Sequence, residues 1–281
     1  MPTQENNDQR NAWQQSAPYW RKHAGLVRTL FEPITRALLN AAAIERAQFV
    51  LDVAGGAGEP SLTIAKALNE KGSVVFTDAV REMVITSRTE ANRAGITNLQ
   101  FAQCLGEALP FQSRSFDAVV SRLGVMLFAD PAASIAEMLR VLKPDGRIAF
   151  AVWHKQDTNP FFYVVSNIVA RYIESQPDDP NAPGAFRFAE RGKLDRLLAT
   201  AGVIDVTSSV LKFTIGAAIT PSQFWELRSE LSDTLREKLA KLSEAQLLSL
   251  SKEVETEGEA FYDGGLMRFP AEVLIVSGRK A

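Results

Sequence analysis

The sequence predicts an α/β fold: a doubly wound, mostly parallel sheet with helices on both faces. Three observations predict it. Between residues 49 and 153, short apolar runs alternate with amphipathic ones, the rhythm of strand and helix around a parallel sheet. The first apolar run passes directly into a glycine loop, "VLDVAGGAGEP", with a helical pattern after it. A final apolar run near the end of the chain returns to strand character after a long helical stretch, which implies one interleaved unit rather than two separate ones.

Each element has its own signal. Residues 1–11 are polar and are expected to be disordered. Residues 12–45 carry Leu26, Leu30, Ile34 and Leu38 at helical spacing and read as helices. A strand over 49–53 meets the glycine loop, and a helix follows over 60–69 with Pro60 suited to its first turn. A second strand, 74–77, ends at Asp78. A helix over 80–94 stops at Gly95. Strands follow at 99–102 and, after "SRSFD", at 118–121. A helix over 132–142 ends at "KPDG", and a fifth strand covers 147–153. Beyond Trp153 the rhythm changes. Residues 159–176 are helical and aromatic, "QPDDPNAPG" is a proline-rich loop, and a helix over 190–201 ends at Gly202 before a strand at 203–213. Amphipathic helices fill 221–258, and the last strand is 271–277. The expected organisation is an N-terminal helical lid (1–45), a ligand-binding core (46–154), and cap helices with the last strands (155–281).

Composition narrows the function classes. A hydrophobic share of 46% and a charged share of 23% are those of an ordinary globular protein. The net charge of -2 provides no field for nucleic acid or for an acidic membrane. The single cysteine, Cys104, excludes an internal disulfide and a cysteine-rich metal cluster, so no metal is expected. The start of the chain lacks a signal-peptide core, and no uncharged apolar run approaches the ~20 residues of a membrane helix. A cytoplasmic protein acting on a small molecule, without membrane or nucleic-acid partners, is therefore expected; the sequence is compatible with a homodimer.

The glycine loop carries the chemistry. Ligands of a doubly wound sheet bind outside the carboxyl ends of the strands, where this loop lies. Gly55, Gly56 and Gly58 remove side chains where a ligand must touch backbone. Asp78, about 20 residues further on, has the spacing of a carboxylate that accepts both ribose hydroxyls. Together they indicate an adenosine-containing cofactor. The G-x-G-x-x-G of dinucleotide sites is absent, and the anionic Glu59, with Pro60, occupies the turn that would cradle pyrophosphate. A cationic, phosphate-free ligand suits the loop better than a nicotinamide cofactor.

"VLDVAGGAG" resembles motif I of the class I S-adenosylmethionine-dependent methyltransferases, commonly D-x-G-x-G-x-G. "GEALPFQSRSFDAVVSRLGVMLF" and "MLRVLKPDGRIAFAVW" are similar to the downstream runs of the small-molecule and quinone methyltransferases in that family. The resemblance covers residues 49–153. It implies a Rossmann-like class I methyltransferase sheet, mostly parallel with the last strand antiparallel, under a helical cap. It implies S-adenosyl-L-methionine as cofactor and S-adenosyl-L-homocysteine as product. By the same resemblance, Asp52 orders the loop, and Ala54, Gly55, Gly56 and Gly58 meet the methionine and ribose portions. Asp78 holds the ribose, Ala79 and Met83 lie near the adenine, and Leu105, Gly106 and Glu107 flank its far side. Ser121 and Arg122 line the methionyl side, and Tyr19, in the aromatic segment "WQQSAPYW", closes over the cofactor. Two departures stand out. Ala54 replaces the first motif glycine, which a negative φ would tolerate. Leu105 replaces an acid that would accept from the adenine amine.

Methyl transfer is an in-line displacement whose main demand is alignment, with a base needed only where the acceptor loses a proton. The chain has two histidines. His154 follows the fifth strand and His23 lies in the N-terminal helical region; either is a candidate base. The many aromatics after Trp153 point to an apolar or aromatic acceptor methylated at oxygen or carbon. "FYDGGLMRFP" is expected to turn at Gly264 and Gly265 and to bring Tyr262 or Arg268 to the pocket. "LREKLAKLSEAQ" reads as a solvated helix face. Two alternatives stay open: an NAD(P)-dependent oxidoreductase on the same sheet, and a relative that binds the cofactor without catalysis.

Overall fold

A computed structural model describes residues 4–173 and 179–281. Its centre is one eight-stranded sheet. Strands β1 (Phe49–Val53), β2 (Ser73–Asp78), β3 (Leu99–Gln103), β4 (Phe116–Arg122) and β5 (Leu142–Trp153) are followed by β6 (Val203–Ala217), β7 (Tyr262–Asp263) and β8 (Leu266–Lys280). The order across the sheet is β3-β2-β1-β4-β5-β8-β6, with β7 paired to β8. The first five strands pair in parallel, whereas β8 runs antiparallel to both β5 and β6. Chain direction across the sheet reverses between β1 and β4, which creates a crevice at their carboxyl ends. Burial is nearly continuous along β1, β2, the centre of β4, and β5 from Ile148 to Trp153, because helices cover both faces there.

The helices are α1 (Gln4–Leu30), α2 (Glu32–Ala41), α3 (Ser61–Leu68), α4 (Arg81–Arg93), α5 (Pro131–Val141), α6 (Pro160–Tyr172), α7 (Lys193–Thr200), α8 (Pro221–Leu231), α9 (Asp233–Leu239) and α10 (Glu244–Gly258). Local chemistry sets their ends. Asp130 caps α5 by accepting from the Ala133 N–H at 2.9 Å, and Pro131 opens the helix. Reciprocal capping boxes start α8 (Thr220 with Gln223) and α10 (Ser243 with Gln246). Gly95 closes the α4 turn with φ +66°.

Several expectations need correction. Helix α1 begins at Gln4, so the disorder expected over residues 1–11 does not describe residues 4–11. Pro60 precedes α3 as its cap residue rather than lying in its first turn. The aromatic helix α6 ends at Tyr172; the remainder of the helix expected up to residue 176, and the first part of "QPDDPNAPG", lie outside the described residues. "LREKLAKLSEAQ" spans the end of α9, a turn and the start of α10 rather than one helix face.

Strands β6 and β8 each run 15 residues and project past the sheet edge. The last β5 partner is Trp153 opposite Val273, yet β8 and β6 stay paired out to Met267 and Ala217. Helices α6, α8 and α10 pack against one another, and α6 packs on this ribbon. Between them lies an aromatic cluster, with Phe161 near Phe224 (5.6 Å between ring centres) and Phe269 (5.7 Å). Helix α1 crosses the start of α4, packing Trp13, Ala17 and Trp20 on Val80 and Met83. No helix among the described residues is long and apolar enough to cross a membrane.

Candidate functional site

The crevice is built from the β1 and β2 ends inward. The Gly55 N–H donates to the Thr77 carbonyl at 3.0 Å, and the Gly56 N–H donates to Asp78 Oδ2 at 2.9 Å. Asp78 Oδ1 accepts from the Val80 N–H at 2.9 Å, and its own carbonyl accepts from the Cys104 N–H at 3.1 Å. The carboxylate thus ties the loop after β1 to the loop after β2, and the Asp78 carbonyl ties them to the end of β3. It is 9% exposed, and burial raises its pKa to about 6. Each oxygen holds one backbone amide and keeps lone-pair capacity for a further donor.

The three loop glycines have different causes. A Cβ on Gly55 would lie 2.4 Å from the Phe76 ring and 2.7 Å from Asp52 Oδ2, so this position is closed by internal packing rather than by a ligand. At Gly58, φ is +121° and a Cβ would meet Leu62 at 2.9 Å. Only Gly56, with φ +57°, faces open space. Ala54 also departs from expectation. Its φ is +60°, not negative, and its methyl stands opposite Gly124, where a Cβ would come within 2.8 Å. The alanine is accommodated because the facing residue has no side chain.

Asp52 is fully buried. Its Oδ2 accepts from Ser61 Oγ at 2.6 Å, its carbonyl accepts from Thr77 Oγ1 at 2.9 Å, and its Oδ1 has no partner. Burial raises its pKa to about 7, opposed by the Ser61 hydrogen bond and the Arg122 charge. Glu59 changes the earlier argument about pyrophosphate. It is paired to Arg28 Nε at 3.3 Å, and its Oε2 accepts from the Thr63 N–H at 3.4 Å, so its charge is largely neutralised.

The remaining positions fall into groups. Met83 is buried beneath the α1 tryptophans, and Ala79 lies between Asp78 and Val80 with its carbonyl taken by Gln103. Leu105 is half-buried, Gly106 packs by Ser134, and the Glu107 carboxylate accepts from the Asp130 N–H at 3.4 Å. Ser121 is buried with its Oγ unpartnered. Arg122 donates to Thr35 Oγ1 at 2.8 Å, and burial lowers its pKa. Tyr19 carries the Arg236 guanidinium over its ring at 4.7 Å. His23 Nε2 lies 2.5 Å from Glu230 Oε2 and helps tie α1 to α8. Gly264 and Gly265, at φ +55° and +86°, form the two-residue turn between β7 and β8; Arg268 is exposed, whereas Tyr262 is half-buried.

His154 has a distinctive setting. Its Nδ1 lies 2.8 Å from Glu272 Oε2, and its Nε2 is buried without a partner. A carboxylate at Nδ1 holds the tautomer that leaves Nε2 with a free lone pair. Glu272 is held well below the usual carboxylate range by His154 and by Lys212. The sequence reading missed Glu272, which is remote in the chain and sits on the ribbon extension. It also missed Arg28, Gly124 and the buried Arg228. No group of three or more His, Cys, Asp or Glu among the described residues is arranged to hold a metal.

Comparison with known proteins places this geometry in context. Residues 34–170 match the model of the ubiE/COQ5 methyltransferase family. The chain is 26% identical over 191 residues to the ubiquinone/menaquinone biosynthesis C-methyltransferase UbiE of Klebsiella pneumoniae, covering 60% of this chain and 76% of that one. Among solved structures it resembles the YcgJ protein of Bacillus subtilis, with TM-score 0.55, 19% identity and coverage of 88% and 97%. It also resembles the [4+2]-cyclase SpnF, with TM-score 0.55, 17% identity and 95% of each chain covered. At these identities the structural likenesses establish the fold.

Proposed function

We propose that the chain is a class I S-adenosylmethionine-dependent methyltransferase that transfers a methyl group to carbon or oxygen of a small aromatic compound, a reading that its match to the ubiE/COQ5 methyltransferase family supports. The observation that carries this is the clamp of Gly56 and Asp78, which joins the carboxyl ends of β1 and β2 beside the crevice between β1 and β4. It combines an open backbone position with a carboxylate that can accept two more hydroxyl donors, and an adenosine ribose supplies those donors. When bound, S-adenosylmethionine supplies an activated methyl on a sulfonium.

The chain's own residues then have assigned tasks. Asp78 holds the ribose. The Gly56 backbone, with Ala54, Gly55 and Gly58 behind it, meets the sugar and the amino-acid portion. Asp52 fixes the start of α3 through Ser61. Val80 and Met83, backed by α1, flank the base on one side, with Ala79, and Leu105, Gly106 and Glu107 lie on the other. Ser121 and Arg122 border the β4 side of the crevice, with Thr35 fixing the arginine. Tyr19 contributes to the lid through α1. The His154 Nε2, aligned by Glu272, accepts the proton that the acceptor loses. The similarity to proteins named as ubiquinone/menaquinone C-methyltransferases supports ring carbon as the methylated atom. The second reading is cofactor binding without methyl transfer; a structure of the same fold is named for cyclisation, so the fold alone does not decide between them.

The test is incubation with S-adenosylmethionine carrying an isotopically labelled methyl group and a panel of hydroquinones, naphthols and hydroxylated aromatic acids, read by mass spectrometry. Label in an acceptor is expected, and His154→Ala is expected to slow turnover by about 100-fold with little change in cofactor affinity. Absence of label from every acceptor, with S-adenosylhomocysteine still bound, would favour the non-methylating reading.

A further inference from the structure

Arg228, on α8, is a buried cation without an anion. It is 9% exposed, and its Nε is shut from solvent with no partner. It forms no hydrogen bond or ion pair with any described residue. Its neighbours on α8, Glu226 and Glu230, are paired instead with Lys22 and His23 of α1. Two positions apart on a helix, they point away from Arg228. Its guanidinium lies over two neighbouring aromatic rings, 4.9 Å from the centre of Phe161 and 4.7 Å from that of Phe162, whose own centres are 5.5 Å apart and whose planes are near perpendicular.

This arrangement is costly for a structural residue. Burial pulls the pKa down to about 10, so the group stays charged at neutral pH. Aromatic faces offset part of the desolvation of a guanidinium, but they satisfy none of its N–H donors. A planar fork resting in the corner of two packed rings has its position set before any ligand arrives, and its donor edge matches a carboxylate.

Its place in the fold connects it to the crevice. Phe162 packs on Trp153, the last residue of β5, with ring centres 4.8 Å apart. Phe161 packs on Phe31, the residue before α2, at 6.3 Å between ring centres. One helical turn beyond Phe31, Thr35 holds Arg122 at the end of β4. Arg228 is therefore linked through Phe162 and Trp153 to the carboxyl end of β5, where His154 directly follows Trp153.

We propose that Arg228 binds the carboxylate of an aromatic acid, so that the acceptor is an anionic ring compound whose ring lies among the cap aromatics. This rests on the reading of the crevice as a methyltransferase site and adds the charge class of the acceptor. The probes are 1-naphthoate and its neutral isostere 1-naphthamide, titrated by calorimetry into the full chain, free and saturated with S-adenosylhomocysteine. Wild type is expected to bind the acid at least about tenfold more tightly than the amide. Arg228→Gln is expected to abolish that preference, Arg228→Lys to keep part of it, and both to bind S-adenosylhomocysteine as wild type does. Equal affinities for acid and amide in wild type, no binding of the acid, or a preference that survives in Arg228→Gln would overturn the proposal. The wild-type comparison stands even where a variant fails to fold. Loss of S-adenosylhomocysteine binding by wild type would count against the cofactor reading alone, because the acid and amide are also compared on the free protein.

Discussion

Gly55 and Gly56 are adjacent in sequence, yet one is glycine for the protein's own packing and the other for space in the crevice. Gly55→Ala places a methyl 2.4 Å from the Phe76 ring, backed by a fully buried strand. A loss of about 1–3 kcal/mol is expected, read as a lower Tm in thermal unfolding. Gly56→Ala meets no neighbouring atom but forces alanine into φ +57°. Its expected stability cost is about 1–2 kcal/mol, and its methyl enters the open side of the loop, so S-adenosylhomocysteine affinity falls in titration calorimetry. Loss of affinity with Gly55→Ala but not with Gly56→Ala would reverse these assignments. The sequence placed all three glycines in the loop but could not separate their causes, because the separating atoms belong to Phe76 and Asp52. Ala54 is a similar case. Its methyl is accommodated at positive φ beside Gly124, 70 positions away, where any side chain would come within 2.8 Å of it. Glu59 was weighed by its charge alone, and the sequence could not show that Arg28 of α1 pairs with it.

At the level of elements, legibility followed local cover. Strands β1 and β2 and helix α4 were read to within a residue or two, because each has a clean apolar run between turn residues. In the β6–β8 ribbon, β8 was read short at both ends and β6 only at its far end, its start at Val203 being as expected. Within the sheet β8 is buried without a break from Val273 to Gly278; beyond β5 it alternates, with Met267, Phe269 and Ala271 inward and Arg268 and Pro270 exposed. Pro270, which argues against a strand interior, is tolerated opposite Thr214 because β5 has already ended on that side. Glu272 lay inside the strand expected over 271–277, but the sequence carried no sign that its carboxylate orients His154, 118 positions away. Helix α1 was legible as a helix but not as the roof over Val80 and Met83. Trp20→Ala is expected to cost about 1–2 kcal/mol of stability and to speed amide hydrogen exchange over residues 79–84. Unchanged exchange there would show that α1 does not support that loop.

For the whole molecule, the buried carboxylates make cofactor binding a function of pH. Burial lifts the Asp78 pKa to about 6 in the free protein, and ribose hydroxyls donating to the carboxylate favour its charged form. Binding below that value must therefore release a proton. S-adenosylhomocysteine affinity is expected to be flat above pH about 7 and to weaken as pH falls through 6, approaching tenfold per unit. Asp78→Asn, which cannot titrate, is expected to remove that slope. The same linkage acts on folding with the opposite sense to a salt-bridged acid. Because the folded pKa values of Asp52 and Asp78 lie above the unfolded ones, the free protein loses stability as pH rises from about 4 to about 7.

The cofactor clamp is tested most directly by calorimetric titration of S-adenosylhomocysteine into wild type and Asp78→Ala at neutral pH, with folding of both confirmed by circular dichroism. Wild type is expected to bind at one site, and Asp78→Ala to bind at least about tenfold more weakly, the loss of hydrogen bonds to a charged acceptor. Equal affinity in a folded Asp78→Ala, or no binding by wild type, would contradict the assignment of this crevice to the methyl donor.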